Sequence, residues 1–350
     1  MGKVTEAGIS PMTPRERFFA ALEGKPTDRL PVWLLFPYHQ LGCYVDVRKH
    51  AGYREIFEYS KNKVIMLNRR SPGIPLFKPG FDPELDHRIG SEEELDRILK
   101  LPLLDDEKEI NALLEKQWPQ YAAEKAEFPT DYGAMMLALG EPIGWLYGNS
   151  DMQEYAIWSL TRSSEIVEFL DRIYKRQEII YRFFLERDAA DVYFLVGSEL
   201  AAPPMVSNET FYKWIVPYAR GLSDLIHSYE KKVIHHFHGQ IGTLLDDFVK
   251  MGADAVHTIE APPIGNCTFT QAFETVGDKM ALIGNIQYDD FRALSQEEMK
   301  KAVEDVIEEC RGKRLILSPS AGPFDEELSD HMKQNYLTFI KTAWESEDWR

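Results

Sequence analysis

Short apolar runs alternate with helix-like patterns along the chain. Eight of these runs are almost continuously hydrophobic and lie at residues 32–36, 64–67, 134–138, 192–196, 233–237, 255–259, 280–283 and 315–317. Strands of a parallel sheet are covered on both faces by other elements and have this continuous pattern. We therefore interpret the eight runs as parallel strands.

The segments between the runs carry helix-start signals. Thr13-Pro-Arg-Glu16 combines a hydroxyl N-cap, a proline at the first helical position and a glutamate placed for a capping box, which predicts a helix from there to Gly24. Further N-caps are predicted at Ser91, Ser207 and Ser295. Strand and helix thus alternate throughout the chain.

Eight alternating units predict a single-domain (β/α)8 TIM barrel over residues 1–350, with an open doubly wound sheet as the alternative. No linker rich in proline or in glycine and serine divides the chain. The first half contains two longer insertions, at residues 71–131 and 141–188. Because insertions that follow barrel strands lie at the rim where substrates bind, we expect lids or interaction surfaces there.

Composition narrows the classes of function. The chain is 44% hydrophobic and has a net charge of −17, which favours a packed globular protein and disfavours nucleic acid and anionic membranes as partners. Three separate cysteines, no secretory signal pattern and no apolar run near the ~18 residues of a membrane span predict a cytoplasmic protein. The oligomeric state stays open, and a homodimer is an alternative to a monomer.

Polar side chains cluster where the later predicted strands end. The fourth to eighth strands end in, or are followed by, Glu199, His236 with His238, Glu260, Asn285 with Gln287, and Ser318 with Ser320. The carboxyl ends of barrel strands meet at one mouth, so we expect these side chains to form one site.

Three of the nine histidines lie within four residues. Because side chains alternate along a strand, His236 and His238 face one side, about 7 Å apart, and His235 faces the other. One interpretation is that His236 and His238 share zinc or a similar ion, with Glu199 or Glu260 as the third ligand. The alternative is that the two histidines hydrogen-bond to each other, to Glu260 or to water.

The two glutamates have a second interpretation. Glu199 and Glu260 suit a general acid/base pair, with His238 as a further catalytic candidate. A salt bridge to an arginine at the rim is the alternative for each carboxylate. His257 shares its face with Ile259, and we interpret it as a hydrogen-bonded core histidine.

Candidate substrate-binding residues also follow the strands. The polar or amphipathic candidates are Arg69, Arg70, Tyr38, Asn285 and Gln287, and the planar fork of an arginine suits a carboxylate or a phosphate. Four aromatic residues are candidates to line a pocket for a flat apolar substrate, namely Trp33, Phe36, Tyr38 and Trp145, and core filling is the alternative for Trp33 and Phe36. Residues 239–242 lack the glycine spacing of a dinucleotide site, which disfavours a nicotinamide cofactor.

Several short pieces together resemble the uroporphyrinogen decarboxylase-like superfamily. They lie at residues 15–31 (RERFFAALEGKPTDRLP), 204–211, 216–218, 233–239, 252–254, 282–285 and 316–319. The resemblance implies a (β/α)8 barrel over essentially the full chain. The superfamily contains tetrapyrrole decarboxylases and corrinoid-dependent methyltransferases.

This sequence departs from the decarboxylase pattern. True decarboxylases carry an RQAGRY-like segment after the first strand and an aspartate after the second, where this chain has residues 36–43 (FPYHQLGC) and 68–70 (NRR). The resemblance is therefore nearer to the methyltransferases, and it implies a small methyl donor and a corrinoid protein as partners.

The methyltransferases of this superfamily bind zinc through an HxC motif after the fifth strand and a cysteine after the eighth. His236 matches the histidine of that motif, His238 stands at the cysteine position, and residues 318–322 (SPSAG) contain no cysteine. Activation of a thiol is therefore disfavoured, and an O- or N-demethylating methyltransferase is the first hypothesis.

Two other hypotheses stay open. One is a metal-free decarboxylase or lyase that binds a polycarboxylate or a tetrapyrrole through Arg69 and Arg70. The other is a noncatalytic protein that binds a corrinoid or a tetrapyrrole, as the missing cysteines suggest.

Overall fold

A computed structural model describes residues 10–36, 50–83, 85–196, 199–346 and 349. In these ranges seven parallel strands pair in sequence order: β1 (Met66–Arg70), β2 (Gly133–Gly140), β3 (Val192–Val196), β4 (Lys232–His236), β5 (Ala255–His257), β6 (Ala281–Ile286) and β7 (Leu315–Pro319). They coincide with the second to eighth predicted runs, so these strand predictions are confirmed.

The first predicted run forms bridges in place of a full strand in the described ranges. Val32 bridges Leu317 of β7, and Trp33 bridges Ile65 at the start of β1. The amide of Trp33 donates to the Leu317 carbonyl at 2.9 Å, and the amide of Ile65 donates to the Val32 carbonyl at 3.0 Å. The fold is thus a TIM-barrel-like α/β fold with a curled sheet of seven strands, whose edges both contact residues 32–33.

Helices connect the strands. They are α1 (Pro14–Leu22), α2 (Ala51–Ser60), α3 (Glu92–Leu99), α4 (Glu107–Glu127), α5 (Gly144–Asn149), α6 (Met152–Thr161), α7 (Ser163–Glu186), α8 (Asn208–Trp214), α9 (Val216–His227), α10 (Leu245–Met251), α11 (Phe269–Val276), α12 (Asp290–Ala293), α13 (Gln296–Glu309) and α14 (Asp330–Glu345). Of these, α3 and α4 lie in the first predicted insertion and α5 to α7 in the second.

The predicted caps begin the predicted helices. Thr13 and Ser295 form complete capping boxes, and the hydroxyls of Ser91 and Ser207 each accept a backbone N–H of the following helix. A cap of this kind contributes ~1 kcal/mol to its helix. The first helix ends at Leu22, two residues before the predicted Gly24.

Side chains alternate between two cores on the two faces of the sheet. An inner core contains Trp33, Met136, Phe194 and Ile283, and it is closed below by Phe18 of α1. An outer core packs the other face of the strands against the surrounding helices. Each strand is therefore apolar at successive positions, which explains the continuous hydrophobic runs.

The register of the strands places the histidines side by side. Val196 of β3 pairs with His236 of β4, which pairs with His257 of β5. Residues that pair across parallel strands face the same side of the sheet. His236 and His257 are therefore lateral neighbours on the inner face.

In the described ranges, no helix has the length and apolar character that crossing a bilayer requires.

Candidate active site

A cavity of ≈ 340 Å³ opens at the carboxyl ends of the strands. Its polar lining is Arg69, Glu199, His236 and His238. Its apolar lining is Trp33, Leu35, Leu67, Met136, Phe194, Val196, Ala321, Gly322 and Phe324. A mostly apolar cavity with a few convergent polar groups is the usual form of a small-molecule site.

The histidine segment divides as side-chain alternation predicts. His236 and His238 line the cavity, and their ring centroids lie 4.6 Å apart with the rings perpendicular. His235 lies in the opposite, outer layer, fully buried, with Nδ1 3.6 Å from Oε1 of Glu141. β4 and the two residues after it thus supply two imidazoles to the cavity and one to the layer behind it.

Glu199 completes a group that suits a metal ion. One ligand atom each from Glu199, His236 and His238 lies within 4.8 Å of the other two. Two ligands of one zinc ion, each bonded at ~2.1 Å, are at most ~4.2 Å apart, so small side-chain rotations bring these atoms into range. Two imidazoles and one carboxylate are also a ligand set that zinc and other divalent ions accept, so the residues fit the implied metal.

Glu260 holds His238 from behind. Its Oε1 lies 3.3 Å from Nδ1 of His238, and its Oε2 accepts the amide of Gly239 at 2.6 Å. Gln287 also hydrogen-bonds the Glu260 carboxylate, and Ser320 Oγ donates to Gln287 Oε1 at 2.9 Å. With its oxygens engaged in this way, Glu260 orients His238.

His257 holds His236 in the same way. The two Nδ1 atoms lie 2.7 Å apart, and the rings lie nearly parallel. His257 Nε2 lies 3.0 Å from the carbonyl oxygen of Pro319. His257 is fully buried, so it is the hydrogen-bonded core histidine that we predicted, and it also contacts the candidate metal ligand directly.

The acid–base properties of the two glutamates differ. Burial raises the pKa of Glu199, and the neighbouring charges of Glu141 and Glu260 add to the rise. Burial also acts to raise the pKa of Glu260, but the hydrogen bonds from His238 and Gly239 outweigh it and the pKa is lowered. Glu260 is therefore an anion at neutral pH, and Glu199 is the carboxyl with the stronger tendency to take up a cation, whether a proton or a metal ion.

The histidines differ as well. Burial lowers the pKa of His236 well below its usual value and that of His257 to about 3. Burial opposes the charged form of His238 too, but the hydrogen bond and charge of Glu260, together with the charge of Glu199, raise its pKa. His236 and His257 are thus neutral imidazoles at neutral pH, and a neutral imidazole is the form that binds metals.

The structure separates the two candidate arginines. Arg69 lines the cavity, with its guanidinium carbon 5.7 Å from the Phe194 ring centroid. Arg70 points to the other face of β1, where it is ion-paired with Glu124 and lies over the Tyr121 ring. Successive residues of a strand face opposite sides, so the expected pair of arginines does not form in the cavity.

The other candidates are placed as follows. Trp33 lines the cavity, whereas Phe36 packs against Tyr53 and Tyr336, and Trp145 packs against Phe77. The described residues that line the cavity do not include Asn285, Gln287 or Glu260. Gln287 contacts Glu260, which in turn contacts His238. Tyr38 lies outside the described residues.

Glu141 lies behind the site and was not among the predicted site residues. This residue follows β2 directly, is only 3% exposed, and lies against His235 in the outer layer. Its charge also acts on Glu199 and Tyr147. Its position directly after a predicted strand is a signal of a site residue, but the same position is also the start of the second predicted insertion.

The fold and the site together define a TIM-barrel-like protein with a histidine–carboxylate cluster at the carboxyl ends of its strands. The chain belongs to the uroporphyrinogen decarboxylase (URO-D) family, whose model matches residues 144–334, more than half of the chain. The predicted resemblance to that superfamily is thereby confirmed.

The comparison with solved structures agrees with the fold. The chain is similar to a methyltransferase from Methanosarcina mazei, with a TM-score of 0.64 and 16% sequence identity over 95% of this chain and 98% of that one. It has a weaker likeness to a Bacteroidetes-affiliated GH5 cellulase linked with a polysaccharide utilization locus, at a TM-score of 0.46 and 11% identity over 95% of both chains. No curated protein sequence matches the chain.

Proposed function

We propose that this protein is a methyltransferase that moves a methyl group from a small organic donor, an ether or an amine, to a corrinoid protein. The observation that carries the proposal is the group of Glu199, His236 and His238 at the cavity. The M. mazei methyltransferase, which shares the fold, supports the same class of reaction. Zinc is the metal ion that we expect these three ligands to bind.

When bound, the metal ion supplies a Lewis acid that draws electron density from the donor's oxygen or nitrogen. The bond from that atom to the methyl carbon breaks, the atom keeps the bonding pair, and the acceptor supplies the pair for the new bond to carbon. His236, His238 and Glu199 would hold the ion at the cavity. Glu260 keeps His238 in place with a charge-assisted hydrogen bond.

The remaining lining would bind and shield the donor. Trp33, Met136 and Phe194 form apolar walls that exclude water and suit a flat organic body. Arg69 would bind an anionic group on the donor, because its guanidinium suits a carboxylate. The exposed Phe324, which also lines the cavity, lies where an acceptor protein would approach.

A metal-free decarboxylase or lyase is the second candidate. The raised pKa of Glu199 favours it, since a shift in this direction moves a carboxyl towards the range of a general acid. A polycarboxylate substrate needs several cations, however, and Arg70 is engaged by Glu124 on the far face of β1. The methyltransferase therefore remains the first candidate.

We further propose that residues 32–33 act as the eighth strand of a single-domain barrel. Their bridges to Leu317 and to Ile65 support this closure. A closed barrel leaves no sheet edge exposed to other chains.

The proposed function is tested by metal analysis and by turnover of the purified protein. After dialysis against zinc we expect about one metal ion per chain. We also expect methyl transfer from an aryl methyl ether or a methylamine to cob(I)alamin, which the spectral change of the corrinoid measures. Protein that binds no metal but releases carbon dioxide from polycarboxylates would support the second candidate. A cobalamin spectrum that shifts on binding, with no turnover of any donor, would indicate a binding protein.

Arg69 and Arg70 allow a matched comparison of substrate binding. In Arg69→Met we expect the KM for an anionic donor to rise at least ~10-fold, because a charge-assisted hydrogen bond of ~1.5–3 kcal/mol is lost, while the KM for a neutral donor stays nearly constant. Arg70→Met should reduce thermal stability and leave both KM values near those of the wild type. An equal rise in KM for both donors in Arg69→Met would exclude an anion-binding role.

A further inference from the structure

The hydrogen bonds around His257 have a fixed direction. His257 Nε2 lies 3.0 Å from the carbonyl oxygen of Pro319, and a carbonyl oxygen only accepts. The proton of the His257 ring is therefore on Nε2. His257 is fully buried, and the ion pairs that histidines form at this end of the barrel belong to His235, His236 and His238.

The position of that proton decides the state of the neighbouring ring. A buried imidazole without a counter-ion is neutral, because an uncompensated charge in the interior is costly. Nδ1 of His257 then has a lone pair and no proton. Since it lies 2.7 Å from Nδ1 of His236, His236 has to donate, and its own proton is on Nδ1.

The other nitrogen of His236 is left with its lone pair. His236 Nε2 faces Glu199, with Oε1 at 3.9 Å. His238 donates its Nδ1 proton to the Glu260 carboxylate, so a lone pair for a metal ion is on Nε2 when the ring is neutral. Nε2 is thus the metal-binding nitrogen of both rings.

We propose that His257 is a positioning residue: together with the Pro319 carbonyl it fixes the tautomer of His236, so that Nε2 of His236 is always the nitrogen that can bind a metal ion. The consequence for metal affinity rests on the proposed function, whereas the tautomer itself follows from the hydrogen bonds alone. A partner behind a metal-binding histidine typically accounts for 10- to 100-fold in metal affinity.

The first test needs no metal. In metal-free wild-type protein labelled with 15N-histidine at neutral pH, long-range proton–nitrogen correlation spectra should show a proton on Nδ1 of His236 and on Nε2 of His257. The signals are assigned by their loss in His236→Asn and His257→Phe. A proton on Nε2 of His236, or on both nitrogens of His257, would overturn the proposal whatever the protein's function.

The second test uses three variants and zinc binding measured by calorimetry with a competing chelator. His257→Phe keeps an aromatic ring in the buried position but removes both hydrogen bonds, and we expect its zinc affinity to fall ~10- to 100-fold. His257→Gln supplies one acceptor and one donor, and it should recover most of that loss. His227→Gln, at an exposed position on α9, should bind zinc like the wild type.

The outcomes separate the two claims. Zinc affinity in His257→Phe within twofold of the wild type would overturn the positioning role. Failure of the wild type to bind any divalent metal would disprove the metal-dependent function. The tautomers of His236 and His257 would then be decided by the nitrogen spectra alone. If His257→Phe does not fold, His257→Gln and the wild-type spectra still decide the question.

Discussion

His236→Ala and His238→Ala are each expected to abolish the stable binding of a divalent metal. Each variant removes one of the three ligand atoms that lie within 4.8 Å of one another. The loss of affinity should exceed the ~10- to 100-fold that loss of a partner behind the ligand causes. Metal content after gel filtration and zinc titration by calorimetry measure the effect, and methyl-transfer turnover should fall with it.

His87→Ala is the matched control for these variants. His87 is an exposed histidine that contacts Asp86 and Glu94 at the surface and is not part of the cavity lining in the described ranges. Its replacement should leave metal content and turnover unchanged. The metal site would be disproved if His238→Ala retained both a full complement of metal and its turnover.

Asp28→Asn is expected to produce the largest loss of stability. Asp28 and Arg17 form an ion pair at 2.7 Å with side chains only 5% and 1% exposed. Asp28 also accepts the amide of Met12 at 3.0 Å. The substitution leaves the Arg17 charge buried without its partner, which typically costs ~3–5 kcal/mol. Urea unfolding monitored by circular dichroism should show a lower midpoint with an unchanged m-value.

The effect of Asp28 depends on pH in a definite direction. Burial acts to raise the pKa of Asp28, but the hydrogen bonds from Arg17 and Met12 outweigh it and the pKa is lowered. A carboxyl with a lowered pKa in the folded state stabilises the protein above its unfolded value of ~3.9, and this contribution disappears as pH falls through the folded value. The difference between wild type and Asp28→Asn should therefore be full at pH 6 and should shrink below pH 4.

An exposed pair of the same residue types serves as the control. Arg220 and Asp224 form an ion pair on α9 at 2.8 Å, with both side chains about half exposed. Asp224→Asn should change the free energy of unfolding by less than ~1 kcal/mol, because solvent screens exposed pairs. If Asp28→Asn had an effect as small as this, the buried pair would not be a major source of stability.

The helices and most strands could be predicted because their signals are local. The hydroxyl caps at Thr13, Ser91 and Ser295 begin helices wherever they occur with the right residues after them. Seven of the eight apolar runs are strands because a continuous apolar run suits a strand that packs on both faces. The first run gave only bridges at Val32 and Trp33, since pairing with two edges depends on distant residues.

For the site, the sequence predicted only which side chains of a single strand face the same side. Side-chain alternation along β4 and the two residues after it is enough to separate His236 and His238 from His235. The same rule, applied to Asn68-Arg-Arg70, would have placed Arg69 and Arg70 on opposite faces, yet both were predicted to bind the substrate. The contact of Arg70 with Glu124 spans 54 residues, and no local pattern predicts such a partner.

Relations between strands needed the tertiary structure. His257 was expected to be an ordinary core histidine, and its sequence neighbours contain nothing that indicates a bond to His236. The register of β4 and β5 brings the two rings together, and that register is set by hydrophobic contacts summed over the whole sheet.

By itself, the sequence determined the alternation of strands and helices, the family resemblance and the two histidines that face one side of a strand, because these depend on short-range periodicity and on residue identity. The tertiary structure alone decided that Glu199 joins those histidines, that Glu260 and His257 hold them from behind, and that Arg70 turns away. These relations join residues far apart in the chain, and only the packing of the strands around a common core brings such residues within hydrogen-bonding distance.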